Sequence, residues 1–148
     1  MVRIDRGKGV GRFDPPDRGR RVEGTGGPGF GSQLRGQREA GHRRQMEELL
    51  AAIDREREKL GVRITVQDLM YYRQLVREFL AEATERAYLL QQERSWTRQG
   101  AQSLLVSVQR VDQEVEELLQ RVARQAGPPE EVLERLDKVR GMLVDLMA

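Results

Sequence analysis

The 148-residue chain has no cysteine, one histidine, one tryptophan, three tyrosines and three phenylalanines. Without cysteine there is no disulfide, no thiolate metal site and no thiol nucleophile, which fits a reducing compartment. No segment approaches the ~18–20 apolar residues that a membrane span needs, and the N-terminus lacks the apolar stretch of a signal peptide. A cytoplasmic protein with no membrane partner is expected. Lysine is scarce too: Lys8, Lys59 and Lys138 are the only ones among 26 basic residues, a bias toward arginine codons to which no function attaches. The 38% apolar content suits one soluble helical domain.

What is present is unevenly spread. Residues 1–44 hold 11 of the 15 glycines, three of the five prolines and 11 Arg/Lys against 5 Asp/Glu, a net of +6; residues 45–148 carry 15 against 19, a net of −4. A stretch such as "RFDPPDRGRRVEGTGGPGFGSQLRGQ" has almost no apolar periodicity. It buries too little to offset ~1–2 kcal/mol per residue of backbone entropy, so residues 1–44 are expected to form a disordered basic arm.

From Met46 the apolar residues recur at helical spacing. Met46, Leu49, Leu50, Ile53 and Leu60 make one face of a first helix that Gly61 stops. Thr65 begins a second: "TVQD" places Asp68 three residues after a capping threonine, a variant of the capping box. Its stripe is Leu69, Tyr72, Val76, Leu80, Ala83, Ala87 and Leu90. A third helix, from about Ala101 to Gln125, steps through Leu104, Val108, Val111, Val115, Leu118 and Val122 by fours and threes, the spacing of helices packed at a shallow angle. "AGPPEEV" then supplies Gly127 as a stop, prolines for a new first turn, and Glu130 and Glu131 against its positive end. Val132, Leu136, Val139, Leu143 and Leu146 make the fourth stripe. Short loops set neighbours antiparallel. Residues 45–148 are therefore expected to form an all-α, up-and-down bundle of about four helices. Its long central antiparallel hairpin would be left partly uncovered by shorter outer helices, which invites a homo-oligomer.

Tests for chemistry return little. A di-iron bundle needs Glu-x-x-His on two helices, and a Ser-His-Asp set would have to recruit His42 from outside the core. Gly24, Gly26 and Gly29 spell G-x-G-x-x-G, yet a proline sits inside it and no strand delivers it. Glu114, Glu116 and Glu117, like Glu130, Glu131 and Glu134, read as a solvated helix face rather than a paired acid and base in a cleft. No catalytic, cofactor-binding or metal-ligating residue is assigned, and no cofactor is expected.

Two charges stand out because they fall on apolar stripes, where a charge is costly unless paired. Asp112 lies between the directions of Leu105 and Leu119, and Arg94 lies in line with Val76. Each predicts an ion pair or end cap with a partner the sequence does not name. The basic arm, with Arg-Gly steps at Arg6-Gly7, Arg18-Gly19 and Arg35-Gly36, could neutralise phosphates. Only Phe13 and Phe30 are there to stack on bases, so nucleic-acid contact is expected to be weak.

"YYRQLVREFLAEATERAYLLQQERSWTRQG", then "LLVSVQRVDQEVEELL" and the closing "VLERLDKVRGMLVDLM", resemble the YaaR family of small bacterial proteins of unknown function. The matching features are Tyr72, Leu75, Val76, Phe79 and Leu80, then Arg94, Ser95, Trp96, Arg98 and Gly100, then Val111 and Asp112. The resemblance covers roughly residues 45–148 and leaves out the glycine-rich arm apart from the opening "VRI". It implies a helical bundle with no assigned reaction or cofactor, and it implies that Trp96 and its arginines belong to a shared design.

Two readings of that signature stay open. The indole could close the apolar seam where the second helix gives way to the third, with Gly100 permitting a bend or close approach. An exposed Trp96 between Arg94 and Arg98 could instead anchor a protein partner or stack on a base. The expectation is a non-enzymatic helical interaction protein that docks a protein partner or itself. The alternative is a weak nucleic-acid-associated factor using the basic arm and the Arg94/Trp96/Arg98 edge.

Overall fold

The computed structural model describes residues 27–92 and 97–148. Four helices account for nearly all of them: α1 (Gly27–Val62), α2 (Val66–Gln92), α3 (Arg98–Ala123) and α4 (Pro129–Met147). No strand occurs among the described residues. The chain divides into two units after Arg38, and Glu39–Ala148 forms the bundle.

The arm expected over residues 1–44 needs correcting in part. Residues 1–26 lie outside the described residues, but Gly27 to Arg44 are helical and continuous with the rest of α1. Starting a helix is the costly step, whereas extending one adds a hydrogen bond for each residue fixed. Residues 39–42 are already anchored: Glu39 Oε2 accepts from Arg86 Nε at 2.9 Å, and His42 Nδ1 lies 2.8 Å from Glu82 Oε1. No proline follows Pro28 until Pro128. The helix can therefore propagate backward through glycines that each cost roughly 1 kcal/mol relative to alanine.

The boundaries follow local chemistry. The Thr65 hydroxyl accepts the Asp68 amide at 3.0 Å, as "TVQD" predicts, while the Asp68 carboxylate turns to Lys59 Nζ at 3.9 Å. Thr97 caps α3 in the same way, accepting the Gly100 amide at 3.0 Å. At the far end of α3 the left-handed residue is Gln125 (φ 54), and the Ala126 amide reaches back to the Arg121 carbonyl at 2.9 Å. That closing pattern satisfies carbonyls of the last turn. Gly127 (φ 85) comes two residues later, where a Cβ would run into the Glu131 carboxylate that Arg121 holds at 2.6 Å.

The bundle core runs along the predicted stripes. Met46, Ile53 and Leu60 of α1, Leu69, Tyr72 and Phe79 of α2, Val111, Val115 and Leu118 of α3, and Leu136, Val139 and Leu143 of α4 are all sealed from solvent. Val108 and Val122 are only partly buried. At about 25 cal/mol per Å² of apolar surface, each sealed side chain contributes on the order of 2 kcal/mol. Close backbone approach is concentrated between α2 and α3 and between α3 and α4, so α1 reaches the core mainly through long side chains.

Ion pairs fix the register. Arg73 and Arg77 of α2 face Glu116 and Asp112 of α3, giving the antiparallel hairpin. Lys138 and Arg135 of α4 face Glu114 and Glu117 of α3. Between α1 and α4 the pairing is reciprocal: Arg57 donates to Asp137 at 2.9 and 3.3 Å, and Arg140 donates to Asp54 at 2.7 and 3.1 Å. Both helices carry the same Asp-x-x-Arg spacing, one turn apart, so an antiparallel crossing matches each acid to the other helix's base.

Candidate functional site

The outer face of the α2–α3 hairpin carries a shallow, largely apolar concavity. Four residues of α2 (Arg77, Leu80, Ala81 and Thr84) and three of α3 (Val108, Gln109 and Asp112) line an open groove of about 300 Å³. Leu80 is 5% exposed and forms the floor; Ala81 is small and exposed, which keeps the groove open. Across Gln109 a second depression continues over Gln102, Leu105 and Val106, with Val106 half exposed. Tyr88, also about half exposed, lies one turn beyond Thr84 on α2.

The rim is ionic. Arg77 Nε donates to Asp112 Oδ1 at 3.4 Å, and its Nη2 donates to Glu116 at 2.6 Å. Arg73 adds two bonds to the same Glu116 carboxylate at 3.0 and 3.2 Å. Asp112 thus stands at the edge of the apolar sector with its side chain 44% exposed, not within it. Sequence reasoning singled out Asp112 and missed its partner. The signal existed: two arginines four apart on α2 and two acids four apart on α3 make matched ladders once the hairpin is antiparallel.

The other singled-out residues scatter. Arg94 and Trp96 lie outside the described residues. Arg98 opens α3 and is exposed, and Gly100 sits in that helix's first turn with its amide on Thr97. Tyr72 is 1% exposed and belongs to the core, away from the groove. Burial is the main reason its phenol is pushed well above the ordinary tyrosine range, and the Asp54 and Asp137 carboxylates push the same way against Arg57 and Arg140. Arg57 and Arg140 are held more firmly protonated, each chiefly through its hydrogen bond to Asp137 or Asp54. Tyr72 therefore lies within electrostatic reach of the α1–α4 crossing.

Sequence reasoning also passed over Glu56 and Arg86, both buried. Arg86 is satisfied by Glu39 and the Leu146 carbonyl. Glu56 is not: its Oε2 has no hydrogen-bond partner, and its nearest cation, Lys59 Nζ, lies 3.7 Å from Oε1. No group of three or more His, Cys, Asp or Glu side chains able to hold a metal ion is present among the described residues.

Comparison with known families adds a decisive observation. Residues 16–147 match the family described as "Protein of unknown function (DUF327)". The chain belongs to that family. YaaR is a member of DUF327, so the likeness read at Tyr72, Trp96 and Asp112 points the same way. The family match begins at residue 16, which corrects the expectation that the likeness leaves out the glycine-rich segment. No curated protein and no solved structure matches the chain.

Proposed function

We propose that this DUF327 protein is a non-enzymatic, cytoplasmic docking protein whose α2–α3 face receives a helix of a protein partner. The observation that carries this reading is the groove itself. Leu80, Ala81 and Val108 give it an apolar floor, Val106 and Tyr88 extend apolar surface beyond it, and Arg77 with Asp112 rims one end. An apolar strip with a charged rim is what an amphipathic helix buries when it lies in a groove. No described helix is long and apolar enough to cross a bilayer.

The test compares the full chain with Ala81→Glu and Val106→Glu, both at exposed positions, after circular dichroism has shown unchanged helix content. Stoichiometric association with a defined protein partner should be lost in both variants. Turnover of a small molecule by highly purified protein, abolished by Asp112→Asn, would overturn the reading. Binding to single-stranded nucleic acid that weakens steeply with salt and depends on Arg98 would replace it with the nucleic-acid alternative.

A further inference from the structure

The surface beneath α1 differs from the groove, because a segment of the chain itself occupies it. We propose that the Glu39–Val62 part of α1 is an exchangeable element, and that its seat along α2 and α4 accepts the same segment of a second copy.

Three observations lead there. First, α1 keeps its backbone away from the other helices, so it leaves without undoing the close α2–α3 and α3–α4 contacts. Second, its seam is compromised. Met46, Leu49, Ile53, Glu56 and Leu60 follow a four-three spacing, which puts the Glu56 carboxylate on the stripe at 3% exposure. Lys59, the nearest cation, is largely exposed and also reaches toward Asp68. A buried charge so poorly compensated lowers the cost of lifting the segment into water. Third, only Arg63, Ile64 and Thr65 connect α1 to α2. A short connection that straightens sends the first helix away from its own bundle, and exchange of an identical element is a low-cost route to a dimer.

The occupant follows from charge. The seat presents Asp137 and Arg140 one turn apart, and the segment it accepts must present Arg and Asp in the complementary antiparallel order. Asp54 and Arg57 do so. A second copy supplies them with the same apolar stripe, so every contact of the closed form is rebuilt between chains.

Charge reversal tests this directly. Arg140→Asp and Asp54→Arg each set like charges face to face, in a closed monomer and in an exchanged homodimer alike. Unfolded together and refolded as a mixture of full-length chains, they restore both pairs only if α1 crosses between copies. The expected result is a dimer by light scattering that melts about 5 °C above either variant alone. The pair Arg57→Asp and Asp137→Arg repeats the test at the neighbouring bridge and should behave alike. A mixture that melts as its separate components do, with either pair, overturns the proposal. That failure leaves the α2–α3 groove untouched, since Ala81 and Val106 lie outside the exchanged contacts.

Discussion

The α2–α3 hairpin and the α1 seat use the same side-chain chemistry to different effect. Both are antiparallel, both are edged by arginine–carboxylate pairs, and both feed one core. In the hairpin the helices pack closely and the pairs decorate an interface that apolar contact already defines. Along α1 the backbones stand apart, large side chains fill the gap, and a carboxylate occupies a seam position. Ion pairs that look alike therefore do different work: Arg73 and Arg77 fix a register, whereas Arg57 and Arg140 clasp an element that the core holds less evenly.

The largest expected effect that could break this contrast comes from core truncation. Leu118→Ala in α3 should cost about 2–5 kcal/mol of global stability by urea unfolding. Ile53→Ala in α1 should first show itself locally, as faster hydrogen exchange of residues 46–62 while α3 and α4 amides stay protected. Equal acceleration throughout the bundle would make α1 an ordinary fourth helix.

Alkaline titration comes next. Tyr72 stays protonated in the folded chain at pH values where the unfolded chain loses that proton, so its share of stability is complete below the ordinary tyrosine value of 10.0 and declines above it. The slope should approach ~1.4 kcal/mol per pH unit. Tyr72→Phe should remove that share of the slope, measured by urea unfolding between pH 9 and pH 11.

Backbone effects are smaller and opposite in sign at two glycines. Gly127→Ala should cost more than about 1 kcal/mol, because the residue holds a positive φ and a Cβ would press on the Glu131 carboxylate. Gly141, exposed within α4 with nothing near its absent Cβ, should gain roughly 0.5–1 kcal/mol as alanine. Thermal melting reads both. The smallest effect belongs to the exposed groove rim, where Asp112→Asn should change stability by less than about 1 kcal/mol.

Much of the fold was legible because it depends on local periodicity. The α4 stripe from Val132 to Leu146 is buried as read, and the Thr65 cap holds. What stayed hidden depends on register between helices. The partner of Asp112 could not be named until the antiparallel pairing of α2 with α3 set which residue of α2 lies opposite. Composition misled at Gly27–Arg44, since averaging over glycines says nothing about a helix extended from an anchored stretch. Glu56 was overlooked because an acidic residue inside an apolar pattern reads as a gap in it, although the spacing from Met46 to Leu60 marks its position.

The clasp also orders events in time. Asp54 and Arg140 are 86 residues apart, the first in a helix made early and the second in a helix made late. On the ribosome, α2 and α3 can pair as soon as both have emerged, while the seat of α1 stays incomplete until α4 follows. Through that interval part of its apolar stripe faces solvent and its neighbours on a polysome. A carboxylate set midway along that stripe disfavours premature association through it.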